Sequence, residues 1–173
     1  SCGGSGIMDE EQARDLMQSF LVGERRAALR ALSHMGKVDE LAAEISNLLR
    51  DEAAVVRKEA AVLLSAVRPS SDQKAVQLAE ALLVAVSDAN AAVREEALRT
   101  IGKLGPRIGC HIAERLIKVL MEESEDRVLV VAAECLSLID ESARLGPFLA
   151  SDHASGCRAA LVAVGRSPQA RLK

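Results

Sequence analysis

The sequence predicts an all-α chain of about five antiparallel helix pairs, and three observations predict it. The first is internal repetition, the feature that decides the fold when present. Asp51-Glu-Ala-Ala-Val-Val-Arg-Lys-Glu-Ala-Ala-Val-Leu-Leu64 matches Asp88-Ala-Asn-Ala-Ala-Val-Arg-Glu-Glu-Ala-Leu-Arg-Thr-Ile101. Each sets an Asp, then Val-Arg five and six residues on, then Ala and a branched aliphatic residue. The second is apolar spacing at i, i+3, i+4, i+7 and i+8, the signature of amphipathic helices. The third is that no stretch keeps a period of two for long, so strands have no support.

In chain order, residues 1–8 have a linker composition (Ser1-Cys-Gly-Gly-Ser-Gly6) and are read as a flexible segment or a cloning remnant. Unit one, about 9–36, has the stripe Ala13, Leu16, Met17, Phe20, Leu21, then Ser19 followed by Arg25, Ala28 and Leu32. Unit two, about 38–68, opens with Val38, Leu41, Ala42, Ile45, Leu48 and Leu49. Pro69-Ser-Ser-Asp72 separates it from unit three, about 72–105, and supplies N-cap candidates. Unit three has the stripe Leu78, Ala79, Leu82, Leu83, Val86. Gly105-Pro106 then stops one helix and starts the next. Unit four, about 106–140, carries Ile108, Ile112, Ala113, Leu116, Ile117 and Leu120, with Asp126 aligned to Val131, Cys135 and Ile139. Unit five, about 142–165, is short, with Asp152 before Arg158 and Leu161, its phase fixed only to within a residue. Turns within units are expected at 23–24, 50–53, 87–90 and 124–126. The recurring sixth-residue position is thus Arg25, Arg57, Arg94, Ala132 and Arg158, at intervals of 32, 37, 38 and 26. A basic tail, 166–173, closes the chain.

Composition narrows the role. The 173 residues are 49% apolar and hold two aromatics, Phe20 and Phe148, so disorder is excluded and a packed core of Leu, Val, Ile and Ala is expected. Net charge is −3, and only residues 151–173 lean positive, which argues against a nucleic-acid partner. No apolar run is long enough to span a bilayer and no leader pattern opens the chain, so no membrane insertion is expected. Cysteines at 2, 110, 135 and 157 form no CxxC pair, and reduced thiols in a cytoplasmic or nuclear protein are expected.

Helix pairs of about 37 residues, with Asp in the turn and Val-Arg opening the second helix, resemble HEAT repeats, with armadillo-like repeats the nearest variant. The resemblance covers residues 9–165 and is strongest over 38–105. It implies a right-handed α-solenoid with first helices convex and second helices lining the concave side. It also implies a hydrogen-bonded ladder between neighbouring units, carried over as Asp51/Arg57, Asp88/Arg94 and Asp152/Arg158. Asp126 faces Ala132 and Ser19 faces Arg25, so interruptions are expected at units four and one.

Chemistry is sparse. Histidines 34, 111 and 153 form no HExxH helix, and His153 with Cys157 (i, i+4) lacks a third ligand. Cys135 reads as a small buried hydrophobe. No nucleophile elbow, P-loop or dinucleotide fingerprint occurs. Among helical-repeat enzymes, DNA glycosylases use aromatics that this chain lacks, and deoxyhypusine hydroxylases use His-Glu pairs that it also lacks. The expectation is therefore a non-enzymatic protein-protein interaction scaffold or adaptor, either a whole array or a fragment of a longer one, without cofactor or metal. The alternative is a HEAT-like enzyme or enzyme subunit of the phycobilin-lyase kind.

The binding face is expected one and five residues past each ladder position. That selects Arg26 and Arg30, Lys58, Glu95 and Arg99 with Lys103 nearby, then Ala133 and Ser137, then Ala159 and Ala163. A face basic over its first three units and bland beyond would suit an acidic peptide segment of a protein partner.

Overall fold

The structure, a computed structural model, describes residues 8–108 and 110–139. These residues hold eight α-helices and no strand. They are α1 (Glu10–Leu16), α2 (Val22–Met35), α3 (Ala42–Asn47), α4 (Ala54–Leu64), α5 (Asp72–Val86), α6 (Ala91–Leu104), α7 (Cys110–Glu122) and α8 (Asp126–Leu138). Unit five, its ladder residues Asp152 and Arg158, and the basic tail lie outside the described residues.

Local chemistry sets the helix ends. Asp9 accepts the Gln12 N–H at 2.8 Å while its own N–H donates to Gln12 Oε1 at 3.2 Å, a reciprocal capping box. Ser71 caps α5 through the Lys74 N–H, and Asn90 caps α6 through the Ala92 N–H. α2 and α6 stop at Gly36 and Gly105, whose φ of 67° and 65° suits glycine. After Gly105, a short 3₁₀ turn (Gly105–Ile108) places Pro106 where no N–H is needed.

Successive helices pack as pairs: α1 with α2, α3 with α4, α5 with α6, α7 with α8. Even-numbered helices also touch in chain order, α2 to α4 to α6 to α8, and α5 touches both α3 and α7. One contiguous core of Ala, Leu, Val and Ile runs through all of them. Counted from each N-cap, the even-numbered helices share a pattern: Ala28, Ala60, Ala97 and Ala132 are fully buried at one position, and Leu32, Leu64, Ile101 and Leu136 at another. Alanine lets neighbouring helices approach, and the larger aliphatics fill the space between them. α6 and α8 come close at Gly102, where an added Cβ would lie 3.1 Å from Leu138 Cδ1 and 3.3 Å from Cys135 Cα.

Three details correct the sequence reading. α1 ends at Leu16 and the first turn occupies the residues before Val22, so Gly23 lies inside α2. Phe20 and Leu21 consequently leave the stripe and are 98% and 61% exposed. α3 is a six-residue helix continued by a 3₁₀ turn (Leu48–Arg50), not a helix from Val38; yet Val38, Leu41, Ile45, Leu48 and Leu49 are all buried. Apolar spacing fixed which side chains face inward without fixing the backbone hydrogen-bond type. In α8 the register is three residues earlier than expected, with Leu129 at the Arg57 and Arg94 position instead of Ala132. No helix among the described residues is long and apolar enough to cross a membrane.

Candidate functional site

The turns leading into the even-numbered helices share one construction. A side-chain oxygen of Ser19, Asp51, Asp88 or Glu123 accepts the backbone N–H two residues on, from Leu21 (3.1 Å), Ala53 (2.8 Å), Asn90 (2.8 Å) or Glu125 (2.9 Å). Short polar side chains make such turns by standing in for a backbone acceptor. Six residues after the first three of these stands an arginine that donates back to the turn residue's own carbonyl. The distances are 2.7 Å for Arg25 to Ser19, 2.7 Å for Arg57 to Asp51 and 2.8 Å for Arg94 to Asp88.

The rest of each guanidinium reaches the next turn. Arg25 Nη2 donates to Asp51 Oδ1 at 2.9 Å, with Nε 2.6 Å from Oδ2. Arg57 grips Asp88 with two bonds of 2.5 and 2.9 Å, and Arg94 grips Glu123 with two of 2.7 and 2.9 Å. Planar two-point contacts of this kind are the strong form of ion pair. The ladder is therefore offset from the expected pairing. Arg57 takes the carbonyl of Asp51 and the carboxylate of Asp88, while the Asp51 carboxylate belongs to Arg25. The interruption expected at unit one is absent, because Ser19 need supply only its carbonyl. At unit four the acceptor is Glu123, not Asp126, and Leu129 leaves no arginine to continue the ladder.

The carboxylates answer electrostatically. Burial pushes the Asp88 carboxyl up, but the Arg57 hydrogen bonds, the Asn90 N–H and the charges of Arg57 and Arg94 outweigh it, and its pKa lies below the ordinary value. Glu123 is lowered in the same way, burial being outweighed by Arg94 and by the N–H groups of Glu125 and Ser124. The bond to Asp88 raises Arg57, and the bond to Glu123 raises Arg94.

The residues expected on the binding face lie on the outer side of α2, α4 and α6, but much of their charge is already matched. Arg26 donates twice to Glu59 Oε1, at 2.9 and 2.6 Å, and Arg30 Nη2 sits 3.5 Å from the same oxygen. Burial raises the Glu59 carboxyl, yet Arg26 and Arg30 bring it below its ordinary value. Arg99 bonds Glu95 at 2.5 Å and Glu96 at 3.2 Å. Among the described residues Lys58 and Lys103 are exposed and make no ion pair, and the Arg30 side chain is 60% exposed. Ala133 and Ser137 are buried, contrary to expectation, because of the α8 register; Val130 and Leu138 are exposed instead.

A groove of about 410 Å³ runs between α2 and α4, walled by Arg26, Leu29, Arg30, Val55, Lys58 and Val62. Val55 and Val62 face solvent there, at 39% and 45% exposure. A larger cavity of about 670 Å³ lies between α3 and α5, bordered by Asp39, Glu40, Lys74 and Gln77. A third, of about 380 Å³, sits at the C-terminal ends of α4 and α6. Cys135 is buried, and its thiol is pushed up to about 12 by loss of solvent. No group of three or more His, Cys, Asp or Glu residues placed to hold a metal ion occurs among the described residues. Sequence reasoning missed Glu123 and Glu59. Glu123 could have been found by aligning Val128 with Val56 and Val93, five residues after each turn acid. No protein-family model matches the chain, and no curated protein matches it in sequence.

Proposed function

We propose that this chain is a HEAT-like α-solenoid acting as a non-enzymatic interaction scaffold, and that the α2–α4 groove takes an acidic segment of a protein partner. The observation that carries the reading is the groove itself. Exposed Val55 and Val62 give it an apolar stretch; Lys58 flanks it with no ion pair among the described residues, and Arg30, 60% exposed at its side chain, reaches the lining Glu59 only at 3.5 Å. A segment bearing an aliphatic or aromatic residue between Asp or Glu residues complements that surface. The repeated turn construction supports the solenoid, because units tied edge to edge by Arg25, Arg57 and Arg94 keep α2 and α4 in fixed register. A cytoplasmic or nuclear setting with reduced thiols suits such an adaptor. Arg26 and Arg99, matched by Glu59, Glu95 and Glu96, shape the face more than they charge it.

The test is selection from a displayed random-peptide library on the intact chain, followed by Arg30→Glu and Lys58→Glu. Selected peptides enriched in Asp/Glu around an apolar residue, with binding lost in the double variant, support the reading. Acidic residues in selected peptides without any effect of the double variant would place the site elsewhere.

A further inference from the structure

The cavity at the C-terminal ends of α4 and α6 has a composition unlike the other two. Its walls are Leu64, Val67, Pro69 and Leu104 with the Thr100 side chain, and its charged lining residues are Arg68, Lys103 and Arg107. No carboxylate lines it. The three cations are not equally committed. Arg107 Nε pairs with Asp72 at 2.8 Å and Nη2 donates to the Pro69 carbonyl at 3.2 Å. Arg68 directs Nη1 to the carbonyls of Ser65, Ala66 and Val67, at 3.3, 3.1 and 3.3 Å, and its backbone N–H donates to Asp39 at 2.7 Å. Those contacts fix both guanidinium groups while leaving Arg107 Nη1 and Arg68 Nε and Nη2 without a hydrogen bond among the described residues. Lys103 Nζ has no ion pair there at all.

We infer that this cavity is a site for a phosphate monoester with an apolar body, bound by Arg68, Lys103 and Arg107. Three positive groups around one cavity, set against the Asp72 carboxylate on Arg107 and the Asp39 carboxylate on the Arg68 N–H, suit a dianion better than a single carboxylate. Guanidinium groups anchored by backbone carbonyls lose little freedom when they take up an oxyanion. Pro69, with the edges of Val67 and Leu104, lines the cavity beside the cations, and its volume of about 380 Å³ is within the range of small-molecule sites. Helix C-terminal ends carry partial negative charge that opposes an anion, and Arg68 offsets it in part by donating to the carbonyls of Ser65, Ala66 and Val67 in the turn after α4. The site is separate from the α2–α4 groove, and either can fail without the other.

The experiment is titration followed by NMR at constant ionic strength, with inorganic phosphate, phenyl phosphate, a phosphoserine peptide and benzyl alcohol as probes. Phenyl phosphate is expected to bind on the order of millimolar, tighter than inorganic phosphate and tighter than benzyl alcohol. Tighter binding of the phosphoserine peptide would identify a protein-borne phosphoryl group as the source; tighter binding of phenyl phosphate would identify a small molecule. Lys103→Gln, an exposed position without a partner, should weaken either by about threefold to tenfold. Lys103→Glu should abolish binding, whereas Arg30→Glu should leave it unchanged. Equal binding of benzyl alcohol and phenyl phosphate, or unchanged affinity in both Lys103 variants, would overturn the assignment.

Discussion

Removing Arg57 tests the ladder most severely. Arg57→Ala deletes two hydrogen bonds to the Asp88 carboxylate and two to the carbonyls of Asp51 and Glu52. It leaves Asp88, whose side chain is 7% exposed, with the Asn90 N–H but without a cation at contact distance. A net hydrogen bond to a charged group is worth about 1.5–3 kcal/mol, and stripping one partner from a buried pair costs about 3–5 kcal/mol. The Arg57 side chain is 16% exposed, so solvent moderates the loss. An overall destabilisation of about 2–3 kcal/mol follows. Urea unfolding should show a lower midpoint with an unchanged slope, because the surface exposed on unfolding is the same. Asp88→Ala in the Arg57→Ala background should then cost less than in the parent, by a coupling of about 1–2 kcal/mol. A loss below about 0.5 kcal/mol, the usual range for an uninvolved surface site, would refute the reasoning. Full additivity in the double variant would refute it equally.

Other consequences are open to direct measurement. Gly102→Ala sets a helix-propensity gain of about 1 kcal/mol against a methyl 3.1 Å from Leu138 Cδ1 and 3.3 Å from Cys135 Cα, so a thermal melt should show less than that gain; Gly23→Ala, in open space, should be neutral or slightly stabilising. Asp88 and Glu123 have lowered pKa values, so the unfolded chain binds protons first as pH falls; their contribution is present above about pH 4 and lost below it. Asp88→Asn, less stable at neutral pH, should therefore show a flatter fall in stability with acid, and an unchanged slope would exclude Asp88 as a source of acid sensitivity. Cys135, with its thiol raised to about 12, should react with a thiol reagent only as the chain unfolds. Labelling faster than unfolding would show that α6 and α8 do not seal it.

The helical class was legible because apolar spacing is a strong signal: every residue of the stripe Leu78, Ala79, Leu82, Leu83 and Val86 is buried. The same signal misled at Phe20 and Leu21, where the spacing continued past the point at which the backbone turns. Ser19 marks that point by its side chain taking the Leu21 N–H. The ladder residues could be picked out in pairs, but their connectivity could not, because a repeat pattern gives the same spacing whether arginine reaches its own turn or the next. The unit-four register went wrong by favouring an aspartate over the buried Val128. Glu123 performs the turn role of Asp51 and Asp88 with one more methylene. Charge on the candidate face was overestimated for a different reason: Arg26 and Glu59 are 33 positions apart, and only packing of α2 on α4 brings them together.

The measurement that most directly tests the proposed scaffold role is an NMR map of amide shifts as a selected acidic peptide is titrated into the labelled chain. The largest shifts are predicted on the outer faces of α2 and α4, at Arg30, Val55, Lys58 and Val62, with weaker binding at higher salt. Shifts centred instead on Asp39, Lys74 and Gln77, in the cavity between α3 and α5, would contradict the assignment of the groove as the docking surface.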